Sequence, residues 1–218
     1  MNVLVEKIKQ PDFPIFFTKN DLAKLSIGGS KLDKLFEESL KNSYIIHIYN
    51  DIYTLSKKYR RALISEGVLA QMIVPNSYTS TYYVLSDEAW VPEAVYNVTS
   101  ITECKNMTIR TKNFGIYDYY NLYNYIQTAG IYDHETSNGI YRRAKPLRAL
   151  CDYIYMHEKQ WTNIEDLDIN LRLDIDELEQ LKKEDFDELQ GTFKVKNVEI
   201  FLTGIRKELK LWVIFSIK

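Results

Sequence analysis

Within the first sixty of 218 residues, the order of local signals leaves few options: a helix, a glycine break, a second helix, then two β-rich runs around a turn pair. Thr18 precedes a short amphipathic run and Asp21 follows three residues later, the pattern of an N-cap with an acid in the first turn, which predicts a helix over 19–26. Ile27-Gly28-Gly29 interrupts it, and Ser30 stands where it can cap a second helix reaching about residue 42. On that helix Leu32, Leu35, Phe36, Ser39 and Leu40 share one side, and Lys31, Lys34, Glu38 and Lys41 the other. The runs 44–49 and 52–55 flank Asn50-Asp51, a pair suited to a tight hairpin turn.

Helix, turn, helix and hairpin in this order read as a winged helix-turn-helix, which lays its second helix in the major groove of double-stranded DNA. Ser30, Lys31 and Lys34 are then the groove-facing residues. Lys19, Lys41, Lys57, Lys58, Arg60 and Arg61 would serve phosphates, positioning the fold without reading sequence. Three lysines on a helix also fit an ordinary solvated face; it is their company with the Gly-Gly turn, the caps, the hairpin and the trailing basic cluster that favours DNA.

Charge supports the division. Residues 1–61 hold 11 Lys and Arg against 7 Asp and Glu, and the remainder 17 against 23, a basic head on an acidic body. With 45% hydrophobic residues and few glycines or prolines the chain is composed to bury a core. The expectation is an α+β protein: a winged helix-turn-helix over residues 1–62 and a larger mixed α/β domain over 63–218. No apolar stretch follows the charges of the N-terminus, and the late apolar run 211–217 is too short to span a bilayer, so a cytoplasmic location without membrane contact is expected. Cys104 and Cys151 have neither metal-ligand spacing nor disulfide density and read as reduced thiols; no metal or cofactor is expected.

Catalytic patterns are weak. Gly28-Gly29-Ser30 opening a helix resembles the phosphate-gripping turn of nucleotidyltransferases, but the strands that follow offer only Asp51 where paired carboxylates would hold Mg2+. His47, His134 and His157 are scattered, and neither HExxH nor CxxC occurs, so no enzyme is expected.

In the body, 65–73 and 77–89 read as helices, and 95–103 and 106–112 as strands. The tyrosine-rich run 116–126 suits a partner interface or a wet core edge. Residues 165–188 carry 11 Asp and Glu against 3 Lys and Arg, with Leu167, Leu171, Ile175, Leu178 and Leu181 at helical spacing. They read as a solvated helix pair, or as a polyanion mimic for a basic partner. Residues 193–203 alternate like a strand or hairpin entering a last helix with Arg206, Lys207 and Lys210, and the tail from 211 reads as an edge strand or interface element.

The blocks FTKNDLAKL, SKLDKLFEESLKNSYIIHIYNDIYTLS, PNSYTSTYYVLSDEAW, VTSIT and IYRRAKPLRALCDYI, taken in order, resemble the AbiEi family of antitoxins and transcriptional regulators over residues 12–158. Pro75, Tyr78 and Ser80 match its run after the winged domain, and Ala144, Pro146, Ala149, Leu150 and Asp152 match its A-x-P-E-K-A-L-x-D run. Leu147 and Arg148 replace the Glu-Lys pair, and Asn50-Asp51 stands where a basic residue and Gly are frequent. The resemblance implies the antitoxin of a type IV toxin-antitoxin pair active in phage defence by abortive infection. Its winged domain would repress its own operon at inverted repeats, and its larger domain would neutralise a nucleotidyltransferase toxin. The alternative is a non-enzymatic interaction module whose winged domain binds protein.

Overall fold

Leu4, Val5 and Ile8 recur at helical spacing and are buried along one face of α1 (Val3–Ile8), where the Asn2 side chain accepts a hydrogen bond from the Val5 N–H. The computed structural model describes residues 2–122 and 128–211. Strand β1 (Phe16–Phe17) leads into α2 (Lys19–Ala23), which carries the expected capping box of Thr18 and Asp21 but stops three residues short of the predicted end. Helix α3 (Gly29–Lys41) follows, then β2 (Ile45–Tyr49) and β3 (Ile52–Leu55). The three strands form an antiparallel sheet in the order β1-β3-β2, with Asn50 at a left-handed φ of 45° in the hairpin turn. Neither α1 nor β1 was expected from the sequence, α1 being less than two turns long and β1 two residues.

The body begins with α4 (Glu66–Ile73), capped by Ser65, and continues through β4 (Ser77–Thr79), α5 (Thr81–Asp87), β5 (Asn97–Thr102), β6 (Met107–Arg110) and β7 (Ile116–Asn121). Beyond it come β8 (Ile131–Thr136), β9 (Gly139–Ala144), α6 (Pro146–Met156), α7 (Ile164–Leu171), α8 (Ile175–Glu179), α9 (Lys183–Leu189) and α10 (Lys196–Glu208). Its mixed sheet runs β6-β7-β5-β4-β9-β8, with β5 parallel to β7 and β4 parallel to β9. The chain is therefore mixed α+β.

Three body elements differ from the sequence reading. The segment 77–89 is a strand followed by a helix, because β4 is buried on both sides and pairs with β5 and β9, which a helix could not do. The acidic segment is three short helices rather than two, with Leu167, Leu171 and Leu178 buried and most of its acids exposed. Residues Lys196–Glu208 are helix, since Val198, Phe201, Leu202 and Ile205 bury one stripe at spacings of three and four. Within the tyrosine-rich run, Tyr117 and Tyr119 are core residues of β7; its residues 123–126, and the tail 212–218, lie outside the described residues.

Phe17, Leu22, Phe36, Ile45 and Leu55 form a core inside the first sixty residues. Phe16, Ile48 and Ile52, which point away from it, pack instead with Val68, Leu69, Val98, Tyr117, Tyr119 and Tyr141 of the body. Asn138 reinforces the junction, accepting from the Ser65 N–H at 2.9 Å and donating to the Leu63 carbonyl at 2.8 Å. Head and body thus share an apolar layer, and the back of the hairpin is docked on the body.

The opposite face of the large sheet is covered by α5, α6 and the last helices. There Gly204 of α10 meets the 160s loop so closely that a Cβ would lie 1.8 Å from the Thr162 carbonyl oxygen. Gly204→Ala is expected to lower stability by about 2 kcal/mol in urea unfolding, although alanine is the better helix former by about 1 kcal/mol. An unchanged midpoint would show that the loop gives way.

Candidate nucleic-acid interface

Ser30, Lys31, Lys34 and Lys41 are all exposed on α3, while Leu32, Leu35, Phe36, Ser39 and Leu40 face inward, as the periodicity predicted. At about 100° per residue, Ser30, Lys34 and Lys41 fall within about 40° of one another and form the crest of the exposed face. Lys31 and Glu38 border one side of the crest, and Asp33 and Glu37, also exposed, the other.

The role assigned to Ser30 changes. Gly28 is the N-cap, its carbonyl accepting from the Leu32 N–H at 2.8 Å, and no side chain caps the helix. Ser30 therefore sits inside the first turn with its hydroxyl outward. Nothing lies within 4 Å of where a Cβ on Gly28 or Gly29 would stand, so α3 begins as bare, uncapped backbone open to solvent.

Lys19 lies at the start of α2 with its ammonium 5.3 Å from the Phe36 ring centroid, beside the base of α3. Its N–H donates to the Asp51 carboxylate at 3.1 Å, which ties the hairpin tip to α2. Partial burial pushes the nearby Asp21 carboxyl up, but hydrogen bonds from Lys24 and Thr18 outweigh it and hold the group below its ordinary value. Lys57 and Lys58 are exposed on the turn after β3. That turn is held against the exit of α3 by the Ser56 N–H to Tyr44 carbonyl bond at 2.9 Å and by the Tyr44–Tyr59 edge contact.

The last two cations of the basic cluster are engaged within the protein: Arg60 is half-buried, contrary to the phosphate role assigned to it, while Arg61 stays exposed with its guanidinium held on backbone carbonyls. Arg61 donates to the backbone carbonyls of Gln10, at 3.0 Å, and Phe13, bracing the N-terminal segment. Arg60 is half-buried against the Phe114 ring of the body, 6.0 Å from its centroid, and burial pushes its pKa down. A guanidinium desolvated at the head-body junction is not placed to meet a phosphate.

The two runs that carry the family resemblance meet in the body. Asp152 of α6 accepts from Ser80 Oγ at 2.7 Å, Tyr78 Oη at 3.0 Å and Arg148 Nε at 2.9 Å, and Arg148 also donates to Tyr78 Oη and to the Ala129 carbonyl. All four side chains are essentially solvent-free. Burial alone would push the Arg148 pKa down; Asp152 and Tyr78 outweigh it and hold the cation above its ordinary value. In the sequence Arg148 stood out only as a departure from the family run, yet it joins the two runs; the signal that could have found it is its i, i+4 spacing to Asp152.

An open cleft of about 800 Å3 lies elsewhere, between the ends of β7, α6 and α10, with Tyr120, Tyr155, His157 and Lys196 on its walls. It includes none of the sequence-predicted site residues, and Asn197, also on its wall, is engaged with the Lys159 carbonyl and the Val198 N–H. Among the described residues no group of three metal-ligating side chains occurs and no helix is long and apolar enough to cross a membrane. Comparison with protein-family models and with curated proteins gives no match for this chain, so the reading of this surface rests on its own geometry.

Proposed function

We propose that the chain is a cytoplasmic DNA-binding repressor of its own type IV toxin-antitoxin operon, and that its body neutralises a nucleotidyltransferase toxin. The observation that carries the DNA half is the crest of Ser30, Lys34 and Lys41 on an exposed α3 that starts as uncapped backbone. The order α1, β1, α2, α3, β2, β3 supports the winged-helix reading, in which α3 is the groove-entering helix. Ser30, Lys31 and Lys34 on α3 face the groove, Lys41 with Lys19, Lys57 and Lys58 supplies the phosphate contacts, and Asp33 and Glu37 repel the backbone on the far side and so set the angle of approach. The antitoxin half is supported by the order of family-like segments and by the meeting of Tyr78, Ser80 and Asp152, the resembling residues, in one buried network.

A gel-shift titration on the protein's own upstream region, against a scrambled duplex at two salt concentrations, tests the reading. Preferential binding that weakens steeply with salt is expected. Equal or absent binding to both duplexes would favour a protein-interaction module instead, a reading supported by the three acids that share the exposed face of α3 with its lysines.

A further inference from the structure

We propose that the α4 side of the body sheet holds an internal water molecule, bound by Thr79 Oγ1, Ser100 Oγ and the Nε–H of Arg143. Thr79 pairs with Ser100 on one side and with Arg143 on the other. Directly paired residues in neighbouring strands project to the same face with Cβ atoms about 5 Å apart, so the three side chains form one row across β5, β4 and β9. Tyr119, the partner of Ser100 on β7, gives the direction of that row, because its hydroxyl donates to the Ala70 carbonyl of α4 at 2.8 Å.

All three residues are at most 1% exposed, and each has a buried polar atom with no hydrogen-bond partner among the described residues: Thr79 Oγ1, Ser100 Oγ and Arg143 Nε. Protein interiors leave few such atoms unpaired, and three in adjacent registers call for a shared partner. Its chemistry follows from the charges already in place. Arg143 Nη2 is 2.7 Å from both the Asp87 and the Glu88 carboxylates, and Nη1 donates to Tyr141 Oη at 3.1 Å. The cation is therefore already balanced, which disfavours an anion. A neutral molecule that both donates and accepts fits two hydroxyls and one N–H, and three partners is the usual complement of a buried water. Such a water links three strands beneath α4 and steadies the guanidinium that clamps the end of α5.

Thermal unfolding of the full chain tests this. Thr79→Val and Ser100→Ala should each lower Tm by about 2–4 °C, while Thr79→Ser, which keeps the hydroxyl, should stay within about 1 °C of the parent. An unchanged or higher Tm for Thr79→Val would overturn the proposal, since a methyl would then have replaced a dry hydroxyl at no loss. A crystal structure of the unaltered protein that resolves ordered water gives a check independent of stability. A density peak within hydrogen-bond distance of all three atoms is expected; a direct Thr79–Ser100 hydroxyl bond, or no peak, would refute the site.

Discussion

Arg148→Ala is expected to cost about 3–5 kcal/mol, one of the largest losses available to a single substitution in this protein. Arg148 and Asp152 have fully buried side chains, so removing the guanidinium leaves a carboxylate in a low-dielectric interior with only two hydroxyl donors. The Ala129 carbonyl and Tyr78 Oη lose a charged donor in the same step. For a chain of this length the loss corresponds to a fall in Tm of about 10 °C or more. Replacing both members with apolar residues, Arg148→Met with Asp152→Leu, should be milder than the single substitution, because no uncompensated charge remains. Thermal melts of the singles and the double decide the matter: a single variant within about 1 kcal/mol of the parent would mean that water reaches the pair.

Reversing charge on the α3 crest should have the second large effect, on binding rather than on folding. Lys34→Glu with Lys41→Glu removes two cations from the centre of the exposed face and places two anions there. Operator affinity should fall by about 100-fold or more, and the slope of log K against log salt should shrink by about 2. Stability should stay within about 0.5 kcal/mol, because both side chains are exposed and neither forms an ion pair among the described residues. Arg61→Ala is the contrasting case: it should weaken the N-terminal segment through the lost carbonyl contacts and leave the salt slope nearly unchanged. Unaltered DNA binding by the double reversal, with the fold intact by circular dichroism, would remove α3 from the interface.

The architecture of the large sheet also bears on how such a head would work. Because Phe16, Ile48 and Ile52 pack on the body, the hairpin cannot reorient without uncovering Val68, Tyr117 and Tyr141. Any shift of the hairpin must therefore be matched by α4 and the sheet beneath it, a coupling that a free-standing head would lack.

What the sequence by itself determined is whatever depends on neighbours a few residues away. The Thr18–Asp21 box, the Gly-Gly break, the inward and outward faces of α3, the Asn50-Asp51 hairpin and the helix α4 are set by local hydrogen bonds and by the 3.6-residue period, and all were legible. Tertiary structure alone decided the rest. The strand β4 exists because β5 and β9 flank it, and α10 is a helix because its apolar stripe finds α6, although the same residues scan as alternating. Arg60 turned from an apparent phosphate ligand into a half-buried contact on Phe114, Arg61 is tied to the carbonyls of Gln10 and Phe13 while staying exposed, and Arg148 turned from an exception into the bond between two runs about seventy residues apart. A charged side chain carries no local mark of which way it points; that is settled by which distant carbonyls, rings and carboxylates the fold brings within reach.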